Sequence, residues 1–182
     1  MKGLLVTALG ILSLQTLPGA ESARSNAEVY ADQPSKSYRV VVRSSGKPGY
    51  EVVDCKSGRY VGTFDSGFDG NKPDSLWRSS SAYWKYDSSD LVIDEGLEGK
   101  LIIAGRRNGS FAEIPVSYTQ LERLCGQTPK WVCLSFNRWV GNTTFLADFY
   151  GAPSSMQSPR LLTSFVIKIE KDQSLTIWNA GD

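Results

Sequence analysis

Histidine is missing from all 182 residues. Its absence excludes imidazole acid/base catalysis, Ser-His-Asp and Cys-His nucleophilic sites, and every zinc site that needs a histidine ligand. An excess of charge is missing too. Lys and Arg number 20 against 19 Asp and Glu, with no basic run, so the chain lacks the electrostatic footprint of a nucleic-acid binder or of a protein drawn to anionic membranes. No apolar run reaches the ~20 residues that a membrane-spanning helix requires. The longest starts at Leu4 and breaks at Gln15 and Pro18, and no Cys follows it to carry a bacterial lipoprotein anchor.

That short run has another use. Met1, Lys2 and Gly3 lead into it and Pro18-Gly19-Ala20 close it, which is the charged start, apolar middle and small-residue end of a secretory signal peptide. Residues 1–20 are therefore expected to be removed, with the cut after Ala20 or Ala23, and the product to be secreted or periplasmic with no membrane span. Cutting after Ala20 removes one charge, Lys2, and takes the net from +1 to +1 − 1 = 0. Residues 21–36 mix Ser, Asn, Ala and Pro without a period and read as a flexible leader. The remainder, 37–182, has the length of a single domain.

From Ser37 onward, short β-branched and aromatic runs alternate with Gly, Pro, Asp and Ser. An all-β domain of antiparallel sheets reads this way, blade-like or an open sandwich. Strands are predicted over residues 38–43, 50–55 and 59–64, then 82–85, 90–93, 101–104 and 110–114, and finally 131–136, 145–149, 162–169 and 174–178. Asn108-Gly109 marks a tight hairpin. One short connecting helix is predicted over 119–124, with Thr119 as its cap, Glu122 completing a capping box and Gly126 ending it.

Two stretches echo each other. Ala82-Tyr83-Trp84-Lys85-Tyr86-Asp87-Ser88-Ser89-Asp90-Leu91-Val92-Ile93 and Leu134-Ser135-Phe136-Asn137-Arg138-Trp139-Val140-Gly141-Asn142-Thr143-Thr144-Phe145-Leu146 each put a Trp ahead of a polar turn and an apolar strand. This resembles the opening hairpin of blades in TolB-like and related β-propellers of exported bacterial proteins, where Trp-Ser-Pro-Asp-Gly precedes a strand. Residues 49–59 look like an outer blade hairpin. Tyr86 and Ser88 stand where that pattern has Pro and Gly, and about three blade-like units fit, fewer than the 4 to 8 of a closed propeller. The resemblance implies a scaffold for protein contacts.

Candidate chemistry is sparse. The loop from Asp65 to Asp74 gathers oxygen ligands, but as a calcium loop it carries Gly67 at position three and Leu76 at position twelve, so it reads as a solvated loop and no metal or cofactor is expected. Without histidine, a hydrolase would rest on two carboxylates. Asp94 and Glu95 follow an apolar strand and Asp148 lies inside another, but neighbours such as Asp94 and Glu95 point to opposite faces of a strand. Trp77, Trp84, Tyr83 and Tyr86 form one aromatic group and Trp131 and Trp139 another; exposed, they stack on sugars or anchor a partner, and buried, they are core. Trp77, Trp84, Tyr86 and Trp139 are the binding candidates.

Of Cys55, Cys125 and Cys133, the last two are the expected disulfide in an oxidising compartment, because Gly126 and Pro129 can turn the chain between them. The other reading makes all three small buried apolar groups. Asn108-Gly109-Ser110 and Asn142-Thr143-Thr144 fit the N-glycosylation pattern. Together these readings describe an exported, non-catalytic β domain with a binding or structural role and a protein or carbohydrate partner. The alternatives are a secreted carboxylate-dependent glycoside hydrolase and a carbohydrate-binding module.

Overall fold

A computed structural model describes residues 28–33, 35–43, 46–67, 80–97, 99–153 and 157–181. Strand β1 (Tyr30–Gln33) comes first in the chain but joins the second of three sheets. The first sheet is the antiparallel meander β2 (Tyr38–Val42), β3 (Gly49–Asp54) and β4 (Tyr60–Asp65). The second has the order β1-β5-β6-β7-β8, with β5 (Ser81–Trp84), β6 (Asp90–Asp94), β7 (Leu101–Arg107) and β8 (Ser110–Ile114). The third has the order β12-β11-β10-β9, from β9 (Trp131–Trp139), β10 (Thr144–Ala152), β11 (Arg160–Ile169) and β12 (Leu175–Asn179). Helix α1 (Tyr118–Cys125) links the second sheet to the third. The mostly antiparallel all-β reading holds.

The three sheets stack, and the middle one is buried on both faces. Alternation assigns the faces: Ala82, Trp84, Leu91, Ile93, Ile102, Ala104 and Phe111 pack with Tyr38, Val40, Tyr50, Val52 and Phe64 of the first sheet. On the reverse face, Tyr83, Val92, Ile103 and Ile114 stand in one cross-strand row. They pack with Leu134, Phe145, Phe149, Phe165 and Ile167 of the third sheet. Hence β6 is buried at all five positions, and between Asp90 and Asp94 it carries the uninterrupted apolar run Leu91-Val92-Ile93 where a half-exposed strand would alternate. Gly62 of β4 sets the first stacking distance, because a Cβ there would stand 2.9 Å from Cβ of Phe111. Glycine is what lets the two backbones approach so closely.

The fold begins before residue 37. Tyr30–Gln33, within the segment whose composition reads as a leader, pair in parallel with β5. Just ahead of them Val29 is buried and its N–H donates to Val40 O at 2.9 Å. Tyr-Ala-Asp-Gln has no alternation to announce a strand, since its order comes from the edge of β5. The helix also starts earlier than predicted. Ser117, not Thr119, is the cap, its Oγ accepting from Gln120 N at 3.3 Å, and Gly126 ends the helix at φ +68°. Asn108 and Gly109 make the expected two-residue turn, both at positive φ.

The blade-like stretches are hairpins in different sheets: β3 with its turn, β5–β6 and β9–β10. Sheets of three, five and four strands stacked face on face close no propeller, so the TolB-like resemblance gains no support from the architecture.

Candidate functional site

The aromatic candidates do not converge. Trp84 is core, 2% exposed, with ring centroids 5.8 Å from Tyr38 and 5.5 Å from Phe111. Trp139 packs edge-on against Phe136 and Phe145 at 5.8 and 5.3 Å, on the other seam. Its indole N–H has no acceptor among the described residues. Tyr86 is fully exposed at the tip of the β5–β6 turn, and Trp77 lies outside the described residues. A stacking surface for sugar needs coplanar exposed rings, and the described members of this set supply one exposed ring.

The carboxylates are committed to holding sheets together. Asp94, at the end of β6, accepts from Gly96 N at 2.7 Å through Oδ1, and from Ser135 Oγ and Phe136 N, both at 2.7 Å, through Oδ2. It thereby joins the middle sheet to the edge strand β9. Glu95 is fully buried and turns the other way, accepting from Ser66 Oγ, from Gly67 N at 2.9 Å and from Lys100 N at 2.8 Å. Opposite faces are what strand geometry dictates for neighbours. Beside Glu95, the Tyr50 hydroxyl pairs with Ser80 Oγ at 2.6 Å, and burial first, then the Glu95 charge, raises the phenol above its ordinary value. Asp148 accepts from Asn137 Nδ2 at 2.9 Å and Ser164 Oγ at 2.6 Å, within the third sheet. Buried carboxylates with as many donors as Asp94 and Glu95 are structural acceptors, whereas Asp148 is half-buried.

The expected disulfide is not formed. Cys55 is exposed, Cys125 half-buried on α1 and Cys133 buried, all three as free thiols. Cys133 points from β9 to the middle sheet, its Sγ donating to Gly96 O at 3.3 Å. Turning the chain at Gly126 and Pro129 therefore does not bring the two sulfurs together. Burial, then the charge of Asp94, pushes the Cys133 thiol up to about 12, so it stays protonated and inert at neutral pH. Of the acidic loop, Asp65 pairs with Lys47 at 2.8 Å and Arg43 at 3.3 Å, and residues 68–79 lie outside the described residues. No group of three or more potential metal ligands occurs among the described residues. Asn108 and Asn142 both sit exposed in hairpin turns.

What the fold does assemble is a charged groove of about 320 Å³ at one end of the seam between the middle and third sheets. One wall comes from the mouth of the β5–β6 hairpin, where Lys85 Nζ lies 3.3 Å from Asp90 Oδ2 and 3.0 Å from Ser89 Oγ. The two charged side chains are only 12% and 11% exposed. The other wall is the end of β11 and its turn, with Lys168 paired to Glu170 at 2.9 Å, then Lys171 and Gln173. Gln173 adopts φ +66° and lies against Gly105, where a Cβ would meet its Nε2 at 2.8 Å. Its neighbour Asp172 fixes the turn, and the Ser174 hydroxyl and N–H it accepts hold its carboxyl below the usual range. Sequence reasoning passed over these residues because strand ends read as punctuation; the one usable signal was Lys85 and Asp90 facing each other across a four-residue turn.

No protein-family model, curated protein or solved structure matches the chain.

Proposed function

We propose that this chain is an exported binding domain that engages its partner through the groove between the middle and third sheets. The observation that carries this reading is the Lys85–Asp90 pair. Taking two opposite charges out of water costs several kcal/mol per ion before their attraction repays it, and here the pair forms the wall of an open cavity. A charged pair already held in place on a cavity wall offers oriented polar atoms to a ligand, which supports recognition of a polar group. The hydrolase alternative is less favoured by the geometry, because Asp94, Glu95 and Asp148 each accept hydrogen bonds on separate elements and do not face one another as a pair.

The test is binding of the mature protein to a panel of polysaccharides and to exported proteins of its own source, compared with that of the Lys171→Glu variant. Lys171 is exposed in a turn between Glu170 and Asp172, so the reversal is expected to change stability by no more than about 0.5 kcal/mol, while affinity for the retained partner is expected to fall about tenfold or more. Unchanged affinity in the variant contradicts the reading. So does turnover of a defined compound that ends when one Asp or Glu is replaced.

A further inference from the structure

A second cavity, of about 340 Å³, opens at the far end of the third sheet and shares no residue with the groove. Its floor is the end of β10, where Gly151 and Ala152 offer almost no side chain. A Cβ on Gly151 would stand 2.6 Å from Leu162 Cδ1 and 2.8 Å from Pro129 Cγ, so these two apolar groups close over the floor.

Two cations flank this floor. Arg160 lies directly opposite Gly151 on β11, and Lys130 immediately precedes Trp131, which lies opposite Ala152 on β9. With β10 between them and an offset of two residues along it, their backbones stand roughly 12 Å apart, a gap that two long side chains can close onto one group. Both are exposed, and neither has a carboxylate within 4.0 Å among the described residues. The charge pattern of the chain supports the same sign. Between Glu122 and Glu170 the basic residues are Arg123, Lys130, Arg138, Arg160 and Lys168, and the one acid is Asp148, already bound to Asn137 and Ser164. Lys168 is paired to Glu170 at the opposite end of the sheet, so the cations at this cavity are Lys130 and Arg160.

We propose that this cavity is a binding site for a small organic anion, whose charged head lies between Lys130 and Arg160 and whose short apolar body rests on Pro129, Ala152 and Leu162. Each half of the ligand matches a feature of the site: acid-free cations for the head and an apolar floor for the body. The proposal stands independently of the groove.

Octanoate is the probe, with acetate as the head alone and octanol as the body alone, followed by amide chemical shifts of the isotope-labelled mature protein. Octanoate is expected to shift Gly151 and Ala152 saturably, and acetate and octanol to bind at least about tenfold more weakly. The double variant Lys130→Gln/Arg160→Gln changes two exposed side chains and is expected to remain folded while losing about tenfold or more in octanoate affinity. Octanol binding as tightly as octanoate, shifts confined to the Lys168–Gln173 turn, or unchanged affinity in the double variant would each overturn the proposal. None of these results bears on Lys171 and the groove.

Discussion

Trp84→Ala is expected to destabilise the domain by about 3–5 kcal/mol, the range for removing a large buried aromatic side chain. Trp84 stacks on Tyr38 and meets Phe111 edge-on between the first and middle sheets, and Tyr38 in turn lies 5.1 Å from Phe111. Removing the indole therefore empties a cavity on which three elements converge. For a domain of this size the loss corresponds to a fall of roughly 10 °C in thermal midpoint. Trp84→Phe keeps part of the packing and is expected to cost clearly less. Urea or thermal unfolding checks both variants, and loss of less than about 1 kcal/mol in the alanine variant would show that Trp84 is not the centre of this seam.

Asp94→Ala is expected to cost roughly 2–5 kcal/mol by a different mechanism. Each buried donor left without an acceptor costs about 1–3 kcal/mol, and Asp94 serves Gly96 N, Ser135 Oγ and Phe136 N. Asp94→Asn keeps one acceptor oxygen but turns an NH₂ toward the donors of the other, so it is expected to recover only part of the loss. The asparagine variant also separates the structural reading from a catalytic one. A structural carboxylate lowers stability in both variants, whereas a catalytic one would leave the stability of the asparagine variant near wild type while turnover vanished.

The strands were legible because alternation is a local property. Tyr83, Val92, Ile103 and Ile114 could each be placed on a strand, and the turn at Asn108-Gly109 needed only its own two residues. How the sheets stack was not legible, although the uninterrupted run at Leu91, Val92 and Ile93 was the mark of a strand covered twice. β1 was invisible because an edge partner orders it, and no alternating face of its own does so. The disulfide expectation failed for a related reason: distance along the chain does not fix direction, and Cys133 points across to Gly96. The opposed directions of Asp94 and Glu95 were readable, being a consequence of the pleat. The groove was not, because Lys85 and Asp90 meet Lys168, Lys171 and Gln173 only after two sheets are placed against each other.

The account rests on the middle sheet as the shared core of three stacked layers, rigid enough to hold one wall of the groove. Native-state hydrogen exchange resolved by residue tests this most directly. The amides of Leu91, Val92, Ile93, Ile102 and Ile103 are expected to exchange last, with an opening free energy equal to that of global unfolding. Exchange of these amides ahead of those in β10 and β11, with the third sheet still protected, would show that the sheets are separable units and contradict the account.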